Sequence, residues 1–226
     1  MTLRIVLRIG GSVVASPINT KLMRKYVDVV KRLREQSHEI AVVVGGGSLA
    51  REFIGTAKEL GLSMQAQDEI AISVSRLFAQ LFLKKLEKLS CEKIAITLED
   101  AAKCLEKGKV AVMGGLKPGI TTDAVAALVA EHIDADLVVK GTDQEGVFNK
   151  DPRSNIDAVK LDRLSYNDLA KIFSESKHKA GIHQIIDPEA VKILSRTSMK
   201  LIVVNGFKPE NVLAALEGHV VGTTIS

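Results

Sequence analysis

Short runs of apolar and β-branched residues alternate along the chain with longer segments of helical periodicity. Several of the short runs, such as residues 41–44 and 137–139, are apolar throughout, which is typical of strands covered on both faces. Repeated alternation of strand and helix predicts an α/β protein, a three-layer α/β/α sandwich with a central, mostly parallel sheet. The predicted strands are residues 3–9, 39–44, 93–97, 109–113, 136–140 and 200–204.

Two helical segments differ in their apolar pattern. Apolar residues recur at steps of three and four from about residue 20 to residue 36 and predict one amphipathic helix. Its apolar face consists of Leu22, Tyr26, Val29 and Leu33. In segment 67–89 the apolar residues cover more than one helical face, so this helix must be buried on more than one side. We predict an oligomer formed through this helix; burial as a central helix of one core is the alternative.

Composition and charge are those of a globular protein. The 226 residues are 46% apolar and 26% charged, which excludes a disordered or collagenous chain, and we predict one domain over residues 1–226. The formal charge is +4 and the pI is about 9.0. Basic residues among residues 1–34 lie mainly in one amphipathic helix and predict a solvated face rather than a nucleic-acid site. The polar stretch 174–181 is the predicted mobile loop.

Cysteine, histidine and hydropathy patterns bear on compartment and chemistry. Cys91 and Cys104 are too few for a disulfide scaffold and lack metal-ligand spacing, so we predict buried or idle thiols in a reducing compartment. The N-terminus lacks the features of a signal peptide, and no apolar run approaches the ~18 residues that cross a bilayer. These features predict a soluble, cytoplasmic protein with no membrane partner. The five histidines are scattered and predict no metal site.

Glycine-rich turns follow four predicted strands. Parallel sheets bind ligands at the carboxyl ends of their strands, so these turns are candidate binding sites. The first turn is Gly10-Gly11-Ser12, whose backbone N–H groups and hydroxyl can approach a polyphosphate closely. Arg8 brings permanent positive charge to the same place.

The second turn places three glycines before a helix. Gly45, Gly46 and Gly47 leave the N–H groups of a helix N-terminus exposed, which favours an anion there. Arg51 follows about one turn into that helix. Its guanidinium either folds back onto the bound anion or lies in solvent, and the sequence favours neither interpretation.

The third turn, residues 114–123, links a strand to a predicted helix over residues 124–132. Thr121 and Thr122 are natural N-caps, and the loop supplies free donors at the positive end of that helix. Asp123 suits the helix dipole, and this structural role is sufficient to explain it. A second anion site beside the first two turns would suggest transfer between two phosphorylated molecules.

The fourth turn, residues 140–152, returns through Gly146 to a short apolar pair. Phe148 can pack beside an adenine, with Asp151 near the ribose or a metal; core packing of Phe148 and a simple turn at Asp151 are the alternatives. No Gly-x-Ser-x-Gly elbow is present and neither cysteine lies in a nucleophile setting, so hydrolytic triad chemistry is not predicted.

Five motifs, taken in order, carry a resemblance to a known family. They are Gly-Gly-Ser, Val-Gly-Gly-Gly-x-x-x-Arg, Met-Gly-Gly-x-x-Pro-Gly-x-Thr-Thr-Asp-Ala, Thr-x-x-x-Gly-Val-Phe-x-x-Asp-Pro and Asp-Pro-x-Ala. The chain resembles the amino acid kinase superfamily over its whole length and, within it, the uridylate (UMP) kinases of archaeal and bacterial type. The resemblance implies transfer of the γ-phosphoryl group of ATP to UMP with Mg²⁺, in pyrimidine nucleotide biosynthesis. It also implies a homohexamer, an acceptor half up to about residue 135 and an ATP half from about residue 136.

The resemblance further implies roles for individual residues. The catalytic residues would be Arg8, Arg51 and Asp187, with Asp187 orienting the basic groups. The ATP-binding residues would be Gly10, Gly11, Ser12, Gly47, Arg51, Thr142, Phe148 and Asp151. The UMP-binding residues would be Gly46, Asp68, Leu116, Lys117, Pro118, Gly119, Ile120, Thr121 and Thr122. No residue is assigned to a metal, and Mg²⁺ would accompany ATP.

Two departures from the family pattern lie on the nucleotide side. Many members carry lysine where Arg8 stands, and Asp143-Gln144-Glu145-Gly146 replaces the usual Asn-Val-Asp-Gly, which adds a negative charge. Two rival functions stay open: another kinase of the superfamily, with a carboxylate, carbamate or isopentenyl phosphate acceptor, and a non-catalytic storage-type relative. Residues 118–122 and Asp68 favour the nucleoside phosphate, whereas Arg51, Asp187 and the loop over residues 142–151 weigh against a storage protein.

Overall fold

A seven-stranded sheet lies at the centre of the structure, a computed structural model that describes residues 2–176 and 185–226. The strands within these ranges are β1 (Arg4–Ile9), β2 (Glu39–Val44), β3 (Ala111–Met113), β4 (Leu137–Thr142), β5 (Val147–Phe148), β6 (Lys160–Leu161), β7 (Arg163–Leu164), β8 (Lys200–Asn205) and β9 (Thr223–Ile225). β5 and β6 form a separate antiparallel pair, and the central order is β3-β2-β1-β4-β8-β9-β7. Neighbours from β3 to β8 are parallel, whereas β9 is antiparallel to β8.

Helices connect the strands, and most of the longer ones begin at a residue whose side chain accepts a free N–H group. The helices of the described residues are α1 (Gly11–Val14), α2 (Thr20–Glu35), α3 (Gly47–Glu59), α4 (Met64–Leu86), α5 (Leu98–Glu106), α6 (Thr122–His132), α7 (Tyr166–Ser176), α8 (Pro188–Arg196) and α9 (Glu210–Leu216). A 3-10 turn, Glu87–Leu89, follows α4. Side-chain oxygens cap six of these helices, and the capping residues are Asn19, Ser63, Thr97, Thr121, Ser165 and Asp187.

Two apolar cores lie on opposite faces of the sheet. Along β1, Ile5, Leu7 and Ile9 face the core that α2, α4 and α9 cover, because side chains alternate across a strand. Val6 faces the second core, which α5, α6 and α8 cover. This arrangement confirms the predicted three-layer α/β/α sandwich with a mostly parallel sheet.

Most predicted elements are confirmed with small differences at their ends. The helix predicted over residues 20–36 is α2, and five of the six predicted strands are β1, β2, β3, β4 and β8. The predicted helix 67–89 is α4, which begins three residues earlier and ends in the 3-10 turn. The pattern located these elements correctly because their apolar period is maintained over their length.

The strand predicted over residues 93–97 is wrong. Within this segment only Ala95 makes a β-bridge, an isolated parallel one to Met113 at the sheet edge. The N–H groups of Ile96 and Thr97 instead donate to the Asp100 carboxylate, over 3.2 and 3.1 Å. A capping box at the start of α5 therefore uses the donors that a strand would have used.

Helix α4 has a buried face and an exposed apolar face. Phe78 and Phe82 are buried in the first core. Leu77 and Leu81 point away from that core and are 58% and 54% exposed. The central-core alternative therefore accounts for only one of the two apolar faces of this helix.

The prediction of two idle thiols is also wrong, because Cys91 and Cys104 form a disulfide. Their Cα atoms are 6.0 Å apart although the residues are 13 apart in sequence. Cys104 lies in α5, which turns back toward the segment that contains Cys91. Only the tertiary fold produces this approach, since a spacing of 13 residues predicts no particular distance.

Two further predictions concern membrane-spanning helices and the loop over residues 174–181. No helix in residues 2–176 and 185–226 combines the length and apolarity needed to cross a bilayer. Of the predicted mobile loop, residues 174–176 belong to the last turn of α7. Its remainder, residues 177–181, lies outside the described residues.

Candidate active site

The turns at the carboxyl ends of neighbouring strands are joined by hydrogen bonds. Gly10, after β1, donates its N–H to the carbonyl of Gly141 in β4 over 2.9 Å. Gly206, after β8, donates to the carbonyl of Thr142 over 2.6 Å. Three adjacent strands therefore end at one continuous edge, which is where parallel sheets bind ligands.

The β1 and β2 turns touch each other through Gly11 and Gly47. A Cβ atom on Gly11 would lie 2.1 Å from the backbone N of Gly47, and Gly47 has a φ of +62°. No side chain fits at the first position, and the left-handed backbone favours glycine at the second. Ser12 in α1 and Gly46 at the N-cap of α3 flank the contact. The two predicted anion-binding turns are thus parts of one surface.

Arg8, Asp123 and Lys140 form a charged cluster beside these turns. Arg8 and Lys140 are register partners on β1 and β4, and Asp123 lies in the first turn of α6. Arg8 Nε lies 2.7 Å from Asp123 Oδ1 and forms an ion pair with it. The two groups are not aligned for a hydrogen bond, and neither atom has a hydrogen-bond partner among the described residues. Lys140 Nζ forms an ion pair with Oδ2 of the same carboxylate. The three side chains are largely buried, being 14%, 11% and 7% exposed for arginine, aspartate and lysine respectively.

Burial and attraction act in opposite directions on the pKa values of this cluster. Burial lowers the pKa of Lys140 to about 8, although the Asp123 carboxylate opposes that effect. Burial also raises the pKa of Asp123, but the charges of Arg8 and Lys140 outweigh it and hold that pKa below its usual range. Near neutral pH the two cations therefore face the carboxylate of Asp123, and the Asp187 carboxylate adds a smaller attraction to Lys140.

The N-terminus of α6 joins the charged cluster to Asp187. Thr121 accepts the N–H of Ala124 over 3.1 Å and donates its hydroxyl to Asp187 Oδ2 over 2.5 Å. The other oxygen of Asp187 caps α8. Thr122 accepts a hydrogen bond from Arg8 Nη2 over 2.9 Å. Both predicted acceptor threonines therefore contact residues that were predicted to be catalytic.

A cavity of about 150 Å³ lies between α3, α4 and the β3–α6 loop, residues 114–121. Six of the nine residues predicted to bind the acceptor line it, and they come from three separate parts of the chain. They are Gly46, Asp68, Lys117, Ile120, Thr121 and Thr122. Tertiary structure thus brings most of the predicted acceptor residues to one concave site.

The remaining predicted acceptor residues belong to the same β3–α6 loop. Gly119 donates its N–H to Asp68 Oδ2 over 2.8 Å, so that the loop is tied to α4. Leu116 is half-buried against the second core, and Pro118 is exposed. Arg51 lies exposed in the second turn of α3.

The predicted ATP residues lie at the end of β4 and in the segment that follows it. Thr142 ends β4 and is buried, and Phe148 is half-buried in β5. Asp151 accepts a hydrogen bond from the N–H of Arg153 over 2.9 Å. This contact belongs to a turn, which is the alternative role predicted for Asp151. The Arg153 guanidinium also binds Asp143 over 2.9 Å. The extra negative charge at Asp143 is therefore paired within the protein.

Sequence reasoning missed two residues of the charged cluster. The helix dipole does not suffice to explain Asp123, because this residue makes the direct contacts to Arg8 and Lys140 that were expected of Asp187. Lys140 gave one signal in the sequence, since it is a charged residue directly after the apolar run 137–139. Nothing in the sequence separates a pairing aspartate from a dipole-stabilising one at the start of a helix.

A larger groove of about 1010 Å³ lies beside the β3 edge and the disulfide. It contains none of the predicted site residues, and its lysines are accompanied by Glu87, Glu92 and Asp100. The 150 Å³ cavity is the more relevant site because the predicted residues converge on it. In the described part of the chain, no group of three His, Cys, Asp or Glu residues could hold a metal ion.

The chain is similar to known proteins over nearly its whole length. Residues 3–205 match the model of the amino acid kinase family. The chain is 41% identical to a uridylate kinase of Methanocaldococcus jannaschii over 225 residues, or 99% of each chain. It aligns with a crystal structure of uridylate kinase from Archaeoglobus fulgidus at a TM-score of 0.88 and 39% identity, covering 98% of this chain and 99% of that one. A UMP kinase structure from Bacillus anthracis aligns at a TM-score of 0.83, over 100% of this chain and 97% of that one, and at 20% identity shows the fold alone.

Proposed function

The chain belongs to the amino acid kinase family, and from this premise we propose that it is a UMP kinase. It transfers the γ-phosphoryl group of ATP to the phosphate of UMP and yields UDP and ADP, a step of pyrimidine nucleotide biosynthesis. One observation carries the proposal: the cavity lined by six predicted acceptor residues adjoins a buried cluster that contains the cations Arg8 and Lys140. A small phosphorylated acceptor fits such a place.

The acceptor side of the proposal consists of the cavity and the β3–α6 loop. Gly46 and Asp68 would contact UMP from α3 and α4, and the loop residues 116–122 would hold its uracil and phosphate. The N-terminus of α6 supports this orientation, because free N–H groups and the helix dipole attract a phosphate.

The ATP side consists of the β1 and β2 turns and the end of β4. Backbone N–H groups of the glycine turns are suited to the phosphates. The residues proposed to bind ATP are Gly10, Gly11, Ser12, Gly47, Arg51, Thr142, Phe148 and Asp151. Division of the domain near residues 135 and 136 into acceptor and ATP halves belongs to the same proposal.

Phosphoryl transfer needs positioning and charge stabilisation rather than a protein nucleophile. Arg8, Arg51 and Lys140 supply positive charge for the oxygens that gain charge during transfer. Asp123 holds two of these cations, and Asp187 acts through Thr121. No general base is assigned, because the UMP phosphate is already anionic.

Mg²⁺ is proposed as the companion of ATP and not as an ion held by the protein alone. The described residues offer no three-ligand His, Cys, Asp or Glu cluster for it. Mg²⁺ commonly binds through substrate phosphates and one or two carboxylates, and it would neutralise phosphate charge.

We also propose an oligomer formed through α4 and a cytoplasmic location. The exposed apolar residues Leu77 and Leu81 support the oligomer, since exposed apolar surface often marks an interface. The hexamer rests on family resemblance. The cytoplasm is proposed from the family resemblance, because the Cys91–Cys104 disulfide removes the free thiols that indicated a reducing compartment.

A coupled ADP-release assay tests the function. We expect ADP formation from ATP that depends on added UMP, with UDP as the second product. Arg51→Ala should lower turnover by roughly a hundredfold or more, if one guanidinium stabilises the transferring phosphoryl group. Activity with carbamate or isopentenyl phosphate and none with UMP would reject the proposal in favour of another kinase. Absence of ATP turnover with any acceptor would favour a storage-type relative.

A further inference from the structure

Three side chains on one face of α4 hold the β3–α6 loop. Asp68 accepts the N–H of Gly119 over 2.8 Å. Ser75 accepts the N–H of Gly115 over 2.8 Å and donates to a carbonyl of its own helix. Arg76 donates from Nε to the carbonyl of Gly115 and from Nη2 to that of Leu116, both over 3.0 Å. The positions 68, 75 and 76 share a helical face because they are seven and eight residues apart.

The loop approaches α4 too closely for side chains at its start. A Cβ atom on Gly114 would lie 2.7 Å from the backbone N of Arg76. On Gly115 it would lie 2.9 Å from Cγ1 of Ile72. The Arg76 contacts are therefore part of a tight junction between helix and loop, and not of a long side chain resting on a surface.

The Arg76 hydrogen bonds determine the direction of two peptide planes. In a trans peptide the C=O and the N–H of the next residue point in opposite directions. Because the carbonyls of Gly115 and Leu116 point to the Arg76 guanidinium, the N–H groups of Leu116 and Lys117 point away from it. Carbonyl oxygens turned toward an anion would repel it, whereas N–H groups attract it.

We propose that Arg76 is a positioning residue for the acceptor: it holds the Gly115 and Leu116 carbonyls on the α4 side and so presents the loop in its anion-binding orientation. This inference rests on the proposed function for the identity of the acceptor. A planar guanidinium suits the task, because its fixed donors reach two neighbouring carbonyls at once.

Steady-state kinetics of Arg76→Met, Arg76→Lys and the wild type test the inference. Loss of two charge-assisted hydrogen bonds should raise KM for UMP about tenfold in Arg76→Met, with KM for ATP changed less than about twofold. Arg76→Lys should be intermediate, since one ammonium cannot reproduce the planar fork. Arg24→Met, an exposed arginine of α2, is the matched control and should match the wild type.

Hydrogen exchange of the loop gives a readout that needs no activity. In Arg76→Met, the amides of Gly115 and Gly119 should exchange faster than in the wild type, while β1 amides keep their protection. Size-exclusion chromatography checks that the variants keep the same association state. Unchanged KM for UMP, an equal rise in both KM values, or unchanged exchange in the loop would each overturn the role of Arg76. A wild type without UMP-dependent turnover would instead reject the proposed function, and the exchange result would still decide whether Arg76 orients the loop.

Discussion

At the scale of residues, the charged cluster is the least expected feature of the molecule. Arg8 and Lys140 come from adjacent strands and share one carboxylate, that of Asp123. Removing charges from water is costly even where the ions are paired, so a buried charged cluster is weak evidence of fold stability. Asp123 pairs with both cations, and the Asp187 carboxylate also attracts Lys140. The cluster is therefore better explained by a role in the proposed site than by fold stability.

The lowered pKa of Lys140 predicts the alkaline limb of the pH profile. Because the pKa is about 8 in the free protein, kcat/KM for UMP should fall as pH rises above about 8, when the ammonium loses its proton. Arginine stays charged, so Lys140→Arg should move this fall to higher pH. Steady-state kinetics between pH 6.5 and 10, roughly the range that brackets this pKa, provide the measurement.

Stability should change in the opposite direction over the same range. The folded pKa of Lys140 lies below its ordinary value of 10.5, so the unfolded chain binds more protons between about pH 8 and 10.5. This group's contribution to the free energy of unfolding therefore increases as pH rises through that window.

An alkaline loss of activity that persists unchanged in Lys140→Arg would contradict the assignment of the alkaline limb to Lys140. Lys21→Arg, exposed at the start of α2, is the control.

At the scale of elements, the disulfide fixes α5 to the segment before it. Cys91 precedes the residues that cap α5, and Cys104 lies near the end of that helix. The disulfide therefore closes a short loop that contains the first turns of α5. A cross-link of this length restricts the unfolded chain and stabilises the fold.

Reduction of this bridge should lower thermal stability. Closing a loop of this size contributes about 3 kcal/mol by chain entropy, which corresponds to a fall in Tm of roughly 6–12 °C for a chain of this length. Differential scanning fluorimetry with and without reductant measures the difference. Cys91→Ser/Cys104→Ser should melt at the temperature of the reduced protein and should not respond to reductant. A reductant-independent Tm in the wild type would show that the bridge does not stabilise the fold.

At the scale of the whole molecule, one helix serves both the site and the proposed oligomer. One face of α4 carries Asp68, Ser75 and Arg76, which bind the β3–α6 loop. Another face exposes Leu77 and Leu81. A subunit packed on the second face would therefore contact the same helix that holds the β3–α6 loop.

The role of the exposed apolar face of α4 in assembly can be tested by introducing one charged side chain. Leu81→Asp should shift the protein to a smaller species, because burying an unpaired carboxylate in an apolar interface is unfavourable. Light scattering coupled to size exclusion measures the mass, and Val220→Asp, at another exposed apolar residue, is the control. The fold should persist, since Leu81 is already half-exposed in the single chain. Equal masses for Leu81→Asp and the wild type would remove α4 from the interface.

The fold was predictable where a pattern is local and repeated. The buried strands and α2 follow from apolar period, and the glycine turns follow from their position after those strands. The strand predicted over residues 93–97 failed because Asp100 captures backbone donors that a pattern of apolar residues does not reveal. Roles of the individual site residues remain predictions, although most of the acceptor set converges on one cavity.

The sequence by itself determined the layers of the fold and the placement of the glycine turns at the carboxyl ends of its strands, because each depends on residues close together in the chain. Tertiary structure alone decided which distant groups meet. Three sets of contacts each join separate segments of the chain. They are the ion pairs of Asp123 with Arg8 and Lys140, the disulfide between Cys91 and Cys104, and the hydrogen bonds from Arg76 to the β3–α6 loop. Such contacts depend on strand order and helix direction, which no local spacing encodes.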